Sequence, residues 1–115
     1  MAVSADEFLK SAEQLLLSKT EISFRNAASR AYYAAYHRCL LVEGLDAPQG
    51  DNFGTHQRLI KSLQQSASMK IRAVGYMLGQ CHSISIIADY NSEEEFHEHQ
   101  AQEAIGFARR IIEEL

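Results

Sequence analysis

Apolar positions recur along this chain at helical spacing, and nowhere with the strict alternation of a half-buried strand. Phe8, Ala12, Leu15 and Leu16 share one face, with Leu9 at its edge. Ahead of them "SADE" reads as a capping box, Ser4 as N-cap and Glu7 reaching back to it. A first helix is therefore expected up to about Ser18. After the break "SKTE" a second helix is expected from about Ile22 to Glu43, ~33 Å long at 1.5 Å per residue, with Gly44 as its C-terminal cap. "GLDAPQGDNFG" reads as a loop, with three glycines, the only proline and two turn-forming aspartates. A short helix follows from about Thr55, its N-cap, to Gln65, carried by Leu59, Ile60 and Leu63. Beyond the weak break "SASM", a fourth helix spans about Lys70 to Ala88. It turns Ile71, Val74, Leu78 and Cys81 inward, while Met77, Ile84 and Ile87 widen its apolar face enough to be covered on two sides. "ADYNS" is a turn, after which Ser92 and Glu95 form a second capping box opening the last helix. Phe96, Ala104, Ile105, Ala108, Ile111 and Ile112 supply its core stripe. The expected fold is all-α: an antiparallel bundle of four long helices and one short one, forming a single domain over residues 1–115.

Composition narrows the class. Apolar residues make up 46% and charged residues 23% of 115 residues, which suits a globular protein with one core rather than a disordered chain. The start "MAVSADEFLK" lacks the basic and apolar stretches of a signal peptide, and no apolar run approaches the ~18 residues of a membrane span. Cys39 and Cys81 are isolated in expected helices, so they read as buried, reduced thiols of a cytoplasmic protein rather than a disulfide or metal site. The net charge of -4 does not describe a general nucleic-acid binder, but it is unevenly spread. From Thr20 to Arg72, seven Lys and Arg against four Asp and Glu leave +3; from Ala73 to Leu115, two against eight leave -6. That asymmetry allows a basic face for a phosphate, although a solvated acidic last helix would produce the same count.

The second helix carries the candidate chemistry. Positions three, four and seven apart lie on one side of a helix, so Asn26, Arg30, Tyr33 and His37 form a polar stripe. Ala27, Ala28, Ala31 and Ala35 lie on the other side with Phe24 and Leu40, a seam that lets a partner helix approach closely. Because one stripe cannot also be the seam, the polar set is expected at an accessible groove. Tyr32 and Tyr36 fall nearer the core, with their hydroxyls at its rim. In "RAYYAAYHR" the aromatic rings stand between Arg30 and Arg38, an arrangement able to stack unpaired bases. Asn26, Tyr33 and Arg38 are accordingly binding candidates. The remaining histidines read more blandly. His97 and His99, two apart, point to different faces of a helix; His56 follows a capping threonine; His82 is polar filler beside Cys81. Zinc-ligand spacing, a glycine-rich phosphate loop, a Ser-His-Asp order and paired catalytic carboxylates are all missing, so neither a metal nor a cofactor is expected.

"FRNAASRAYYAAYHRCLLVEG" resembles a helix of the HEPN domains (higher eukaryotes and prokaryotes nucleotide-binding), in their bacterial and archaeal branch. The resemblance continues through "GTHQRLIKSL", "ADYNSEEEF" and "AQEAIGFARRIIEEL", and so covers nearly the whole chain in order. It implies a helical bundle that commonly dimerises. Many HEPN proteins are metal-independent ribonucleases used as toxins or in phage defence, with an Arg-x4–6-His motif from each copy meeting across a cleft. Arg30 and His37 match the six-residue spacing and are the catalytic candidates. A neutral imidazole can take the ribose 2′-hydroxyl proton while a guanidinium holds the phosphate. The partners implied are a second copy, RNA or a nucleotide, and a minimal nucleotidyltransferase acting as antitoxin, with no membrane. Read from the residues alone, the same pair also fits a structural part, with Arg30 on a carboxylate of the last helix and His37 at a packing contact. Three functions follow: a HEPN-type ribonuclease, a catalytically silent bundle binding a nucleotide, RNA or protein, and a plain helical dimerisation module.

Overall fold

The computed structural model describes residues 3–42 and 54–115. Within them lie α1 (Ala5–Leu16), α2 (Glu21–Cys39), α3 (Thr55–Gln64), α4 (Met69–Tyr90) and α5 (Glu98–Glu114), with no strand among the described residues. This is the all-α bundle that the periodicity calls for. The central element is α2, packed against α1, α4 and α5, while α3 packs on α4.

Local chemistry explains the starts of the first two helices. Ser4 Oγ accepts from the Glu7 N–H at 3.2 Å, and the Glu7 carboxylate accepts from the Ser4 N–H at 3.4 Å. Thr20 and Ser23 repeat the arrangement at the start of α2, at 3.2 and 3.1 Å. Two orphan N–H groups are satisfied each time. Between the two helices the chain turns at Lys19, whose φ of 54° lies in the left-handed region that costs a side-chain-bearing residue about 1 kcal/mol. The Lys19 ammonium pairs there with Glu98 on α5.

The alanine seam is confirmed and extended. Ala27, Ala28, Ala31, Ala34 and Ala35 are fully buried, and so are Ala12 on α1 and Ala101, Ala104 and Ala108 on α5. Small side chains on three helices let their backbones approach closely, and Leu63, Leu78, Val74 and Ile111 fill the space beyond. One contact is closer still. A Cβ at Gly75 would stand 2.7 Å from the Gln64 backbone nitrogen and 2.8 Å from the Leu63 Cβ, so glycine is what lets α3 lie on α4.

Several expectations are corrected. α2 ends at Cys39, not Glu43, because Leu41 and Val42 donate to carbonyls three residues back (Arg38 and Cys39) and tighten the end into a turn. The expected Gly44 cap and the loop after it lie largely outside the described residues, which resume at Gly54. At 22 residues α4 is the longest helix among the described residues, ~33 Å, whereas α2 has 19. Leu40 is not part of the seam but 49% exposed, and Leu9 is core rather than edge. Gly54, not Thr55, occupies the N-cap of α3. The Ser92 box does not form: α5 begins only at Glu98, with His97 at the N-cap and the Gln100 side chain accepting from the His97 N–H at 2.8 Å. Phe96 is buried as expected, but from the segment before the helix.

The cause of that late start is Arg25, a residue the sequence reading passed over. Its guanidinium is buried and donates to the carbonyls of Ile87 (3.3 Å), Ala88 (2.9 Å), Asn91 (3.1 Å) and Glu94. It also pairs with Glu21 one turn earlier at 3.1 Å and lies 5.5 Å above the Phe96 ring. The Ala88 and Asn91 carbonyls at the end of α4 gain a donor in this way, and the Glu94 carbonyl is withdrawn from any helix beginning at Ser92.

Candidate functional site on the exposed face of α2

The stripe foreseen on α2 faces outward. Asn26 and Arg30 are exposed, Tyr33 is 37% exposed and His37 is half-buried. Arg30 makes no ion pair among the described residues; its recorded partner is the Tyr33 ring, with the guanidinium carbon 5.4 Å from the centroid. This removes the structural alternative in which Arg30 pairs with a carboxylate of the last helix. His37 stacks on the Phe8 ring of α1 at 5.2 Å and 17°, and on Tyr33 at 6.2 Å. Packing against these rings holds the imidazole, which stays half-buried rather than sealed in the core.

The four residues share a face but not a pocket. His37 lines a groove of about 510 Å³ with Val3, Asp6, Leu40, Leu41 and Ile112. Arg38 borders the same groove, yet its guanidinium donates to the Leu115 carbonyl on the α5 side and is half-buried rather than free on the surface. Tyr33 turns toward α4, into a separate cleft of about 110 Å³.

That second cleft holds a cluster invisible in the sequence. Tyr32 is buried, and its hydroxyl lies 2.6 Å from His56 Nδ1 on α3. The His56 ring stacks on His82 of α4 at 5.3 Å and 11°, and Tyr36 packs 4.5 Å from His56. Burial first, then the charge that Tyr36 and the buried cysteines would oppose, pushes the Tyr32 phenol well above its ordinary pKa, so its proton stays on. Burial, helped by His56, lowers the His82 pKa from 6.5 and keeps that imidazole neutral at pH 7. At the mouth, Asp89 accepts from Ser29 Oγ at 3.3 Å, and Tyr90 is 82% exposed. Nothing in the spacing of His56 and His82 along the chain signals this cluster. Their meeting depends on three helices.

The other histidines and cysteines stay structural. His97 lies outside α5, so it and His99 do not face apart as expected; their rings stack at 5.5 Å on the surface. Burial pushes the Cys39 and Cys81 thiols up to about 12, leaving them protonated and unreactive. Among the described residues no three His, Cys, Asp or Glu side chains stand together as a metal site, and no helix is long and apolar enough to cross a membrane.

With this geometry in place, the family comparison is specific: the model of the HEPN domain family matches residues 3–115. No curated protein and no solved structure matches the chain significantly.

Proposed function

Because the chain belongs to the HEPN domain family, we propose that it is a metal-independent endoribonuclease acting as a homodimer through Arg30 and His37. The observation that carries this reading is an exposed arginine held on an aromatic ring, without a carboxylate partner among the described residues, in a protein of net charge -4. A guanidinium on an accessible face can take a phosphate in bidentate fashion. His37, held by Phe8, supplies the base. It takes the ribose 2′-hydroxyl proton; the alkoxide attacks phosphorus; the P–O5′ bond breaks; and the 5′-oxygen leaves with a proton, giving a 2′,3′-cyclic phosphate. Arg30 stabilises the charge that builds on the phosphoryl oxygens.

Two helical turns separate Arg30 from His37, ~10 Å along the axis, a long span for one phosphate. A two-fold axis near Tyr33 would set Arg30 of each copy opposite His37 of the other, since isologous contacts pair residue i with j and j with i. Exposed Ile22 on α2, with Leu40 and Leu41 just beyond its end, suits that pairing. A restraining partner, for which the family resemblance suggests a minimal nucleotidyltransferase, would act by covering this face. The buried thiols fit a reducing, cytoplasmic setting.

The test is cleavage of single-stranded RNA by the wild type, Arg30→Ala and His37→Gln with a chelator present. The wild type should yield 2′,3′-cyclic ends and both variants should not. An inactive wild type that still binds RNA would favour the silent binding module, a reading supported by the separation of His37 and Tyr33 into different pockets.

A further inference from the structure

The cleft between α2, α3 and α4 has no part in the cleavage chemistry, yet it is more elaborately built than packing requires. Aromatic rings line it, a carboxylate stands at its mouth, and it opens beside the ring that carries Arg30. We propose that this cleft is a nucleobase subsite selective for guanine, seated beside a phosphate held at Arg30. The proposal rests on the reading that this face engages RNA, and it names which base that RNA presents.

Size comes first. A volume of about 110 Å³ is the liquid share of three or four waters, enough for one edge of a planar base but not for a nucleotide. A base entering edge-first would leave its faces against the exposed Tyr33 and Tyr90 rings, the stacking on which single-strand recognition depends. Charge then sets the polarity. The Asp89 carboxylate repels a phosphate, whereas Arg30, one aromatic ring away, attracts it. The base therefore points inward and the phosphate outward.

Hydrogen bonding sets the identity. An ionised carboxylate only accepts, and Ser29 occupies one Asp89 oxygen, Oδ2, at 3.3 Å. The group that suits the remaining acceptor capacity is a pair of adjacent N–H donors. Guanine offers these on one edge, at N1 and the 2-amino group. Adenine and cytosine set an acceptor beside their amino group, and uracil flanks its single N–H with two carbonyls, so each brings a lone pair against the carboxylate. His56 and His82, whose rings stack on each other in the lining of the cleft, add an aromatic floor.

The experiment is an NMR titration of the intact protein with GMP, AMP, CMP and UMP, reading the imidazole C–H signals of His56 and His82. GMP should shift both signals and bind about tenfold or more tightly than the others, the discrimination expected of one good bidentate pair. Asp89→Asn, which keeps the shape and the Ser29 bond, should erase that preference. Equal responses to all four nucleotides, no response at these histidines, or an unchanged preference in Asp89→Asn would each overturn the proposal. RNA cleavage is scored separately. Guanine selectivity in a protein that cuts no RNA leaves the cleft standing and removes the ribonuclease reading. Cleavage without base preference or histidine shifts does the reverse.

Discussion

Arg25 and Arg30 sit five residues apart on one helix and live in opposite environments. Arg25 is buried, donates to four backbone carbonyls, pairs with Glu21 and lies over Phe96. Arg30 is exposed and, among the described residues, rests on the Tyr33 ring. Five residues turn a helix by about 140°, so one guanidinium meets the α4–α5 connection and the other meets solvent. The difference separates an arginine spent on architecture from one left available to a ligand. Charge in the sequence is identical; what differs is which acceptors are already satisfied.

The sharpest way to break this contrast is to remove the buried member. Arg25→Met should cost about 3–5 kcal/mol in urea denaturation, because several acceptors at the end of α4 and the Glu21 carboxylate lose their donor at once. Arg25→Lys should recover only part of that loss, since an ammonium lacks the planar fork. A loss below about 1 kcal/mol for Arg25→Met would mean that the connection holds without it.

Next in size are changes to the close approaches that orient α2 and α4. Ala31→Leu or Ala35→Leu, at fully buried positions, and Gly75→Ala, whose methyl would meet the Gln64 backbone, should each cost about 1–3 kcal/mol by overpacking. Thermal melts that place these variants level with surface changes would show that the helices separate more readily than their contacts imply.

A smaller effect depends on pH. The lowered His82 pKa means that the folded protein resists a proton that the unfolded chain accepts below about 6.5. Stability from this group is therefore level above that pH and falls as the solution is acidified. Between pH 7.5 and 5 the wild type should lose more melting temperature than His82→Gln, in which this contribution is missing. Parallel curves would contradict it.

The least effect on stability belongs to the exposed arginine. Arg30→Ala should change unfolding free energy by less than about 0.5 kcal/mol while abolishing RNA cleavage. His37→Gln loses the stacked imidazole, so a cost up to about 1 kcal/mol is expected before any effect on activity. Marked unfolding of Arg30→Ala would place the two arginines in the same class and end the contrast.

How far the site was legible can be judged from individual residues. Asn26, Arg30, Tyr33 and His37 were readable as one outward stripe, because helical periodicity fixes relative direction along one element. The seam of alanines was readable for the same reason, and Ala34 joins it one step further round. Arg25 was not, although it lies on the same helix, because its partners at Ile87, Ala88, Asn91 and Glu94 are over sixty residues away. The "SEEE" box failed for a related reason: a valid local signal lost to a buried guanidinium that claims the Glu94 carbonyl. His56 and His82 looked unrelated, and became a pair only once α3 lay across α4.

From its own order of residues, then, this chain determined where helices form, how α1 and α2 begin, which sides are apolar and which polar groups share a face of α2. Those properties follow from spacing, propensity and hydrogen bonds reaching only a few residues. Tertiary structure alone decided that Arg25 is consumed and Arg30 is not, that α5 waits until Glu98, and that two distant histidines meet Tyr32 in a cleft. Each of those outcomes depends on which groups best satisfy the few partners in a shared space, and that competition exists only between segments brought together by folding.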